Sequence, residues 1–191
     1  MISNDVVFDS VRRGYNELEA SNNSEIIDYF ENIEPDAMVG HISNIKGIVF
    51  EQEVVNALNK QGFDAMMFEA TNHPISDIAL MSDGDIALEM QLKATDSTSY
   101  INATLDQHSD VPIIVTSEVA NGFDSAMVIN SGLDNAALET VVSNTLLSEG
   151  TNDVAIDSVN EGLGEVIGES LLPIPISPIG LIGTFIGLPF L

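Results

Sequence analysis

The chain has 191 residues, 45% of them apolar, enough for one domain with appendages and a real core. Its 30 Asp and Glu against 5 Lys and Arg leave a formal net charge of −25, a field that opposes unaided nucleic-acid binding, which leans on cationic groups at phosphates. The lack of cysteine excludes disulfides and thiolate metal sites, and His41, His73 and His108 have no metal-ligand spacing.

The N-terminal "MISNDVVFDSVRRGYNE" places acids before any base and has no long apolar run, so it does not read as a signal peptide. Residues 5–31 read as one or two short helices with an Asn/Ser break. Pro35 suits the first turn of the next helix, which the pattern carries to about Gln61, with Gly62 as its stop. The period then changes. "FDAMMFEAT" reads as a strand, "NHPIS" as a turn and "DIALM" as a second strand. "SDGD" suits a hairpin, and "IALEMQLKA" is the third strand. "DSTSYINATLDQ" reads as a helix with Asp96 at its N-cap. "VPIIVTS" is a short apolar run expected of a strand buried on both faces, and "AMVIN" follows as a further strand. "LDNAALETVVSNTLLSEG" predicts a helix ending at Gly150, and residues 153–170 read as helical but loosened by glycine. No internal repeat is visible.

This order predicts an α/β fold with an αβββαβ core. Three strands form a meander, and a helix then permits a crossover to a parallel fourth in a mixed central sheet. The expected segments are an N-terminal helical region (1–33), the core (34–131), a C-terminal helical region (132–169) and a hydrophobic tail (170–191). The tail, "SLLPIPISPIGLIGTFIGLPFL", has 22 residues without a charge, long enough to cross a bilayer if helical. Its prolines oppose a regular helix and no basic residue follows, so membrane association or burial against a partner is as good a reading as a span. The acids are scattered rather than massed, which favours adaptation to a high-salt source over a basic partner or a need for cations.

Three core segments carry polar groups of chemical interest. On the helix "KGIVFEQEVVNALNKQGF", Gly47, Glu51, Val54 and Leu58 fall on one line, which places a carboxylate in or beside the stripe that should face the sheet. Taken alone, Glu51 reads better as a marginal residue reaching for water. Asp77 opens the second strand, where an acid is usually a turn or cap residue. In "DIALEMQLKAT" the alternation sets Glu89, Gln91 and Lys93 on one face, and a lone strand lysine is commonly solvent-facing. Together the three segments offer more. Asp77, Glu51 and the Gln91 amide oxygen are hard oxygen ligands suited to Mg²⁺, with a strand carbonyl near Leu92 as a further one. Lys93 would orient or help deprotonate a water and offset charge on a phosphate undergoing hydrolysis. Glu89 would be an outer ligand or a partner for Lys93.

The ordered set Gly47, Phe50, Glu51, Val54, Leu58, Gly62, Phe63, then Asp77, then Gln91-Leu92-Lys93, then "VPIIVTS" resembles the PD-(D/E)xK nuclease superfamily. Its Gln-x-Lys form is similar to the Mrr-like restriction endonucleases, in which Gln replaces the acid of the half-motif. The resemblance covers roughly residues 45–120, and Pro74 stands three residues before Asp77 instead of next to it. It implies a restriction-endonuclease-like core and a Mg²⁺- or Mn²⁺-dependent deoxyribonuclease. Asp77 and Gln91 would be metal ligands, Lys93 the catalytic lysine and Glu51 the helix-borne acid. With no cationic groove of its own, such a protein needs another subunit or an oligomer to grip DNA, or high salt to mask the repulsion. A phage or interbacterial effector, cytoplasmic or linked to a membrane through residues 170–191, would reconcile core and tail. The alternative is a catalytically silent nuclease-fold module that docks a membrane or a partner.

Weaker candidates are Thr116 and Ser117, which either approach the site or end a strand, and His73, which reads as a turn histidine. Tyr100 would pack on the core or touch a phosphate backbone. "GLGEVIGE" lacks the Lys and Ser/Thr of a phosphate-binding loop.

Overall fold

In the computed structural model the described residues are 2–68 and 75–147, and they divide into two compact units. One comprises residues 2–49 with 136–147, the other residues 50–135. The expected helix at 153–170 and the apolar tail lie outside the described residues, as do His73 and Pro74.

The first unit is helical. Helix α1 (Asn4–Gly14), a short 3-10 turn (Asn16–Leu18) and α2 (Asn23–Glu31) precede the start of α3 (Pro35–Lys60), and α6 (Asn135–Leu147) supplies its last element. The Asn/Ser break works as a capping box. The Asn22 side chain accepts from the Glu25 N–H and the Glu25 carboxylate accepts from the Asn22 N–H, which satisfies two donors at the α2 N-terminus. Val7, Val11, Ile26, Phe30 and Ile45 are buried, and Tyr15, Tyr29, Phe30 and His41 form an edge-to-face aromatic group. Pro35 begins α3, where its missing N–H leaves no helix bond unmade.

The second unit holds a five-stranded mixed sheet in the order β1 (Asp64–Met67), β2 (Ile78–Ser82), β3 (Asp85–Lys93), β4 (Ile113–Val115) and β5 (Val128–Asn130). The first three strands are an antiparallel meander, and β3, β4 and β5 run parallel. Gly62 ends the α3 segment with φ +93°, and the Asn59 side chain then donates to the Ala65 carbonyl and accepts from its N–H, tying the helix end to β1. The β2–β3 hairpin turns on Asp83 and Gly84, both at positive φ, as a two-residue type I′ turn requires.

Helix α4 (Thr98–Gln107) crosses from β3 to β4, and a short α5 (Ser117–Ala120) precedes β5. Ile101 of α4 and Val119 of α5 pack with Ile113 and Val115, and each such fully buried aliphatic side chain contributes about 1.5–3 kcal/mol. All three β4 residues are buried, as the apolar run demanded. Ser97, not Asp96, caps α4 by accepting from the Tyr100 N–H. The serine hydroxyl reaches the third helical N–H, whereas Asp96 lies one residue too early. A second difference is a bulge between Leu80 and Met81, which pairs Met81 with Ile86. Ile86 thus leaves the apolar face of Leu88, Met90 and Leu92 and is exposed.

Among the described residues no helix is long and apolar enough to cross a membrane.

Candidate functional site

The site lies where β2 begins and β3 ends. On β3, Met90 and Leu92 are buried on one face, and Glu89, Gln91 and Lys93 project from the other. Ala79 pairs with Glu89 and Ile78 with Met90, so the register carried one step further sets Asp77 beside Gln91 on the polar face.

Asp77 is fixed by the end of the ladder. Its own N–H donates to the Met90 carbonyl at 2.9 Å, and the adjacent edge of β3 has no further strand partner among the described residues. The Gln91 N–H goes the other way, to the Pro112 carbonyl at 2.9 Å. The Leu92 N–H therefore faces the vacated edge, and Asp77 Oδ2 accepts it at 2.6 Å. A strand residue's N–H and C=O leave by the same edge, so the Leu92 carbonyl faces this side too. Lys93 Nζ reaches the same Asp77 oxygen at 3.3 Å, with both side chains about one-fifth exposed. In such a partly buried pair salt screens the attraction less than at an open surface.

Gln91 is 3% exposed, and its Oε1 has no hydrogen-bond partner among the described residues. A buried amide oxygen without a donor costs about 1–3 kcal/mol, so its position has to be accounted for. Glu89 accepts from the buried Ser76 hydroxyl at 2.7 Å, and Lys93 pairs with Asp77 in place of Glu89. Glu51 is half-buried on α3, next to the buried Phe50 and one turn from the fully buried Val54.

Two of the weaker candidates have structural duties. Thr116 is fully buried, and its hydroxyl donates to the Thr95 carbonyl at 2.5 Å, bracing the segment that follows Lys93. The Ser117 hydroxyl donates to the Leu133 carbonyl. Tyr100 is half-exposed and so is not a core residue. Ser76 escaped sequence reasoning, because nothing in "HPISD" separates a buried serine aimed at Glu89 from a turn serine.

A hard divalent cation takes carboxylate, amide and carbonyl oxygens, and the oxygens gathered here are of that kind. The unpartnered Gln91 Oε1 fits such a group, since a cation would satisfy it where no donor does. Among the described residues no three His, Cys, Asp or Glu side chains gather as a metal-binding group, so a cation here would draw on the amide and a main-chain carbonyl. Comparison with family models, with curated proteins and with solved structures found no match for this chain.

Proposed function

We propose that the chain is a metal-dependent DNA endonuclease with a PD-(D/E)xK core of the Gln-x-Lys form, hydrolysing phosphodiester bonds. The observation that carries this reading is the Asp77–Lys93 ion pair standing beside the buried, unpartnered Gln91 Oε1. Asp77, Gln91 Oε1, the Leu92 carbonyl and Glu51 would hold Mg²⁺ or Mn²⁺. When bound, such an ion polarises the scissile phosphate and lowers the pKa of its water. Lys93, as the ammonium paired with Asp77, would orient the attacking water and offset charge gathering on the phosphate. The carboxylate that holds Lys93 in place is that of Asp77, so one acid serves both ligand and lysine. The acidic surface calls for a partner subunit or an oligomer to supply the cationic grip on DNA, or for high salt to mask the repulsion. Residues 170–191 would join the protein to a membrane or to that partner, in a cytoplasmic or membrane-associated setting such as a delivered effector.

The test is nicking of supercoiled plasmid with Mg²⁺ or Mn²⁺. Lys93→Ala and Asp77→Ala should each lose at least about a hundredfold in rate. Equal nicking by wild type and both variants sinks the enzyme reading.

A second reading, a catalytically silent module that docks a membrane or a partner, is favoured by the 2.6 Å bond from the Leu92 N–H, which gives Asp77 work in the fold itself. It predicts no cleavage by folded wild-type protein and a loss of stability in Asp77→Ala.

A further inference from the structure

We propose that Glu89, held by the buried hydroxyl of Ser76, is a further acid of this site that serves a hydrated divalent cation through a coordinated water. The proposal rests on the metal-binding reading of Asp77 and Gln91 given above and adds a residue pair to it.

Four observations converge. Glu89 and Gln91 project from the same face of β3, two residues apart, a spacing of roughly 6.8 Å along a strand. That is long for two ligands of one small ion but suits one direct ligand and one acceptor of a coordinated water, since Mg²⁺ gives up its waters reluctantly. Ser76 is 1% exposed and donates to Glu89 Oε2 at 2.7 Å, so one oxygen of Glu89 is pinned and the carboxylate is held in one orientation. Lys93, the lysine on this face, is engaged by Asp77. The face therefore sets two carboxylates and an orphaned amide oxygen against one ammonium, a surplus of negative charge and an unmet acceptor that favour a cation. Finally, Ile75 precedes Ser76 with φ 76°, a strained conformation for a β-branched residue.

The experiment is calorimetric titration of Mn²⁺ into the full chain without DNA, in enough KCl to screen weak binding by surface acids. Wild type should bind Mn²⁺ at a saturable site. Glu89→Gln keeps the shape and an acceptor for Ser76 but removes the charge, and should weaken Mn²⁺ binding about tenfold with the melting temperature unchanged. Ser76→Ala should weaken it by a similar factor. Wild-type Mn²⁺ affinity in Glu89→Gln overturns the proposal, whatever Ser76→Ala does to folding. Weakened binding in Ser76→Ala beside unchanged binding in Glu89→Gln also overturns it, because the serine would then act only as a latch. Asp77→Asn separates the two levels of inference. Undiminished Mn²⁺ binding in that variant removes the metal site itself and this proposal with it. Loss of binding in Asp77→Asn beside normal binding in Glu89→Gln removes the Glu89 role alone.

Discussion

Asp77 meets two demands at once, capping a main-chain N–H that the departing strand leaves open and neutralising the one lysine on its face. Gln91 meets neither: its buried Oε1 lacks a donor, as do Gln61 Oε1 and Asn135 Oδ1 elsewhere among the described residues, but it alone of these lies on the strand face shared with Asp77 and Lys93. Glu53 supplies a prediction independent of the site. Burial raises its carboxyl above the ordinary glutamate value, opposed in part by Lys60 and by a hydrogen bond from the Asn56 side chain. With the folded pKa above the unfolded one, the native state holds the proton longer, so stability falls as pH rises from the ordinary glutamate value through the raised one. Glu53→Gln should flatten that fall and raise the melting temperature at neutral pH. A wild-type pH profile in the variant would refute the account.

At the scale of elements, the hairpin, the crossover and the α3 stop follow from local chemistry. The Asp83-Gly84 turn is the sharpest case. Gly84 sits at φ 89° with nothing within 4 Å of where a Cβ would stand, so Gly84→Ala meets a conformational penalty and no clash. About 1–2 kcal/mol of destabilisation is expected, seen as a lower urea midpoint with an unchanged slope. An unshifted midpoint would mean that the turn adopts another form in solution. The bulge opposite Met81 and the cap at Ser97 were not legible in the sequence. A bulge reflects how two strands settle against each other, and Asp96 and Ser97 are both good caps whose choice rests on one residue of helix phase.

For the whole molecule, charge is the strongest influence. Most of the described acids are exposed, and the ion pairs Arg12–Asp9, Lys46–Glu139 and Lys93–Asp77 already engage three of the five basic residues. Self-repulsion at a net charge of −25 should weaken the compact state at low ionic strength. Raising KCl from about 0.01 M to 1 M shortens the screening length from roughly 30 to 3 Å. The melting temperature should climb across that range, and a flat response would argue against salt adaptation. Under the proposed nuclease reading, salt would also ease the repulsion of DNA, so any nicking should be less inhibited by KCl than is usual for a nuclease with a cationic groove.

Apart from the short α5 and the 3-10 turn after α1, the sequence by itself determined the main helices and strands and their order, the meander and the parallel crossover. Those depend on periodicity, turn residues and apolar runs, each of which acts over a few neighbouring positions. It also nominated Asp77, Gln91 and Lys93, because alternation assigns each to a face. Only the tertiary structure decided who touches whom. Asp77 meets Leu92 and Lys93 across 15 and 16 residues of chain, and Ser76 meets Glu89 across 13. Those contacts depend on register and on where β2 leaves the ladder, which side-chain pattern alone does not set. The same cause turns Glu89 from a partner for Lys93 into a partner for Ser76.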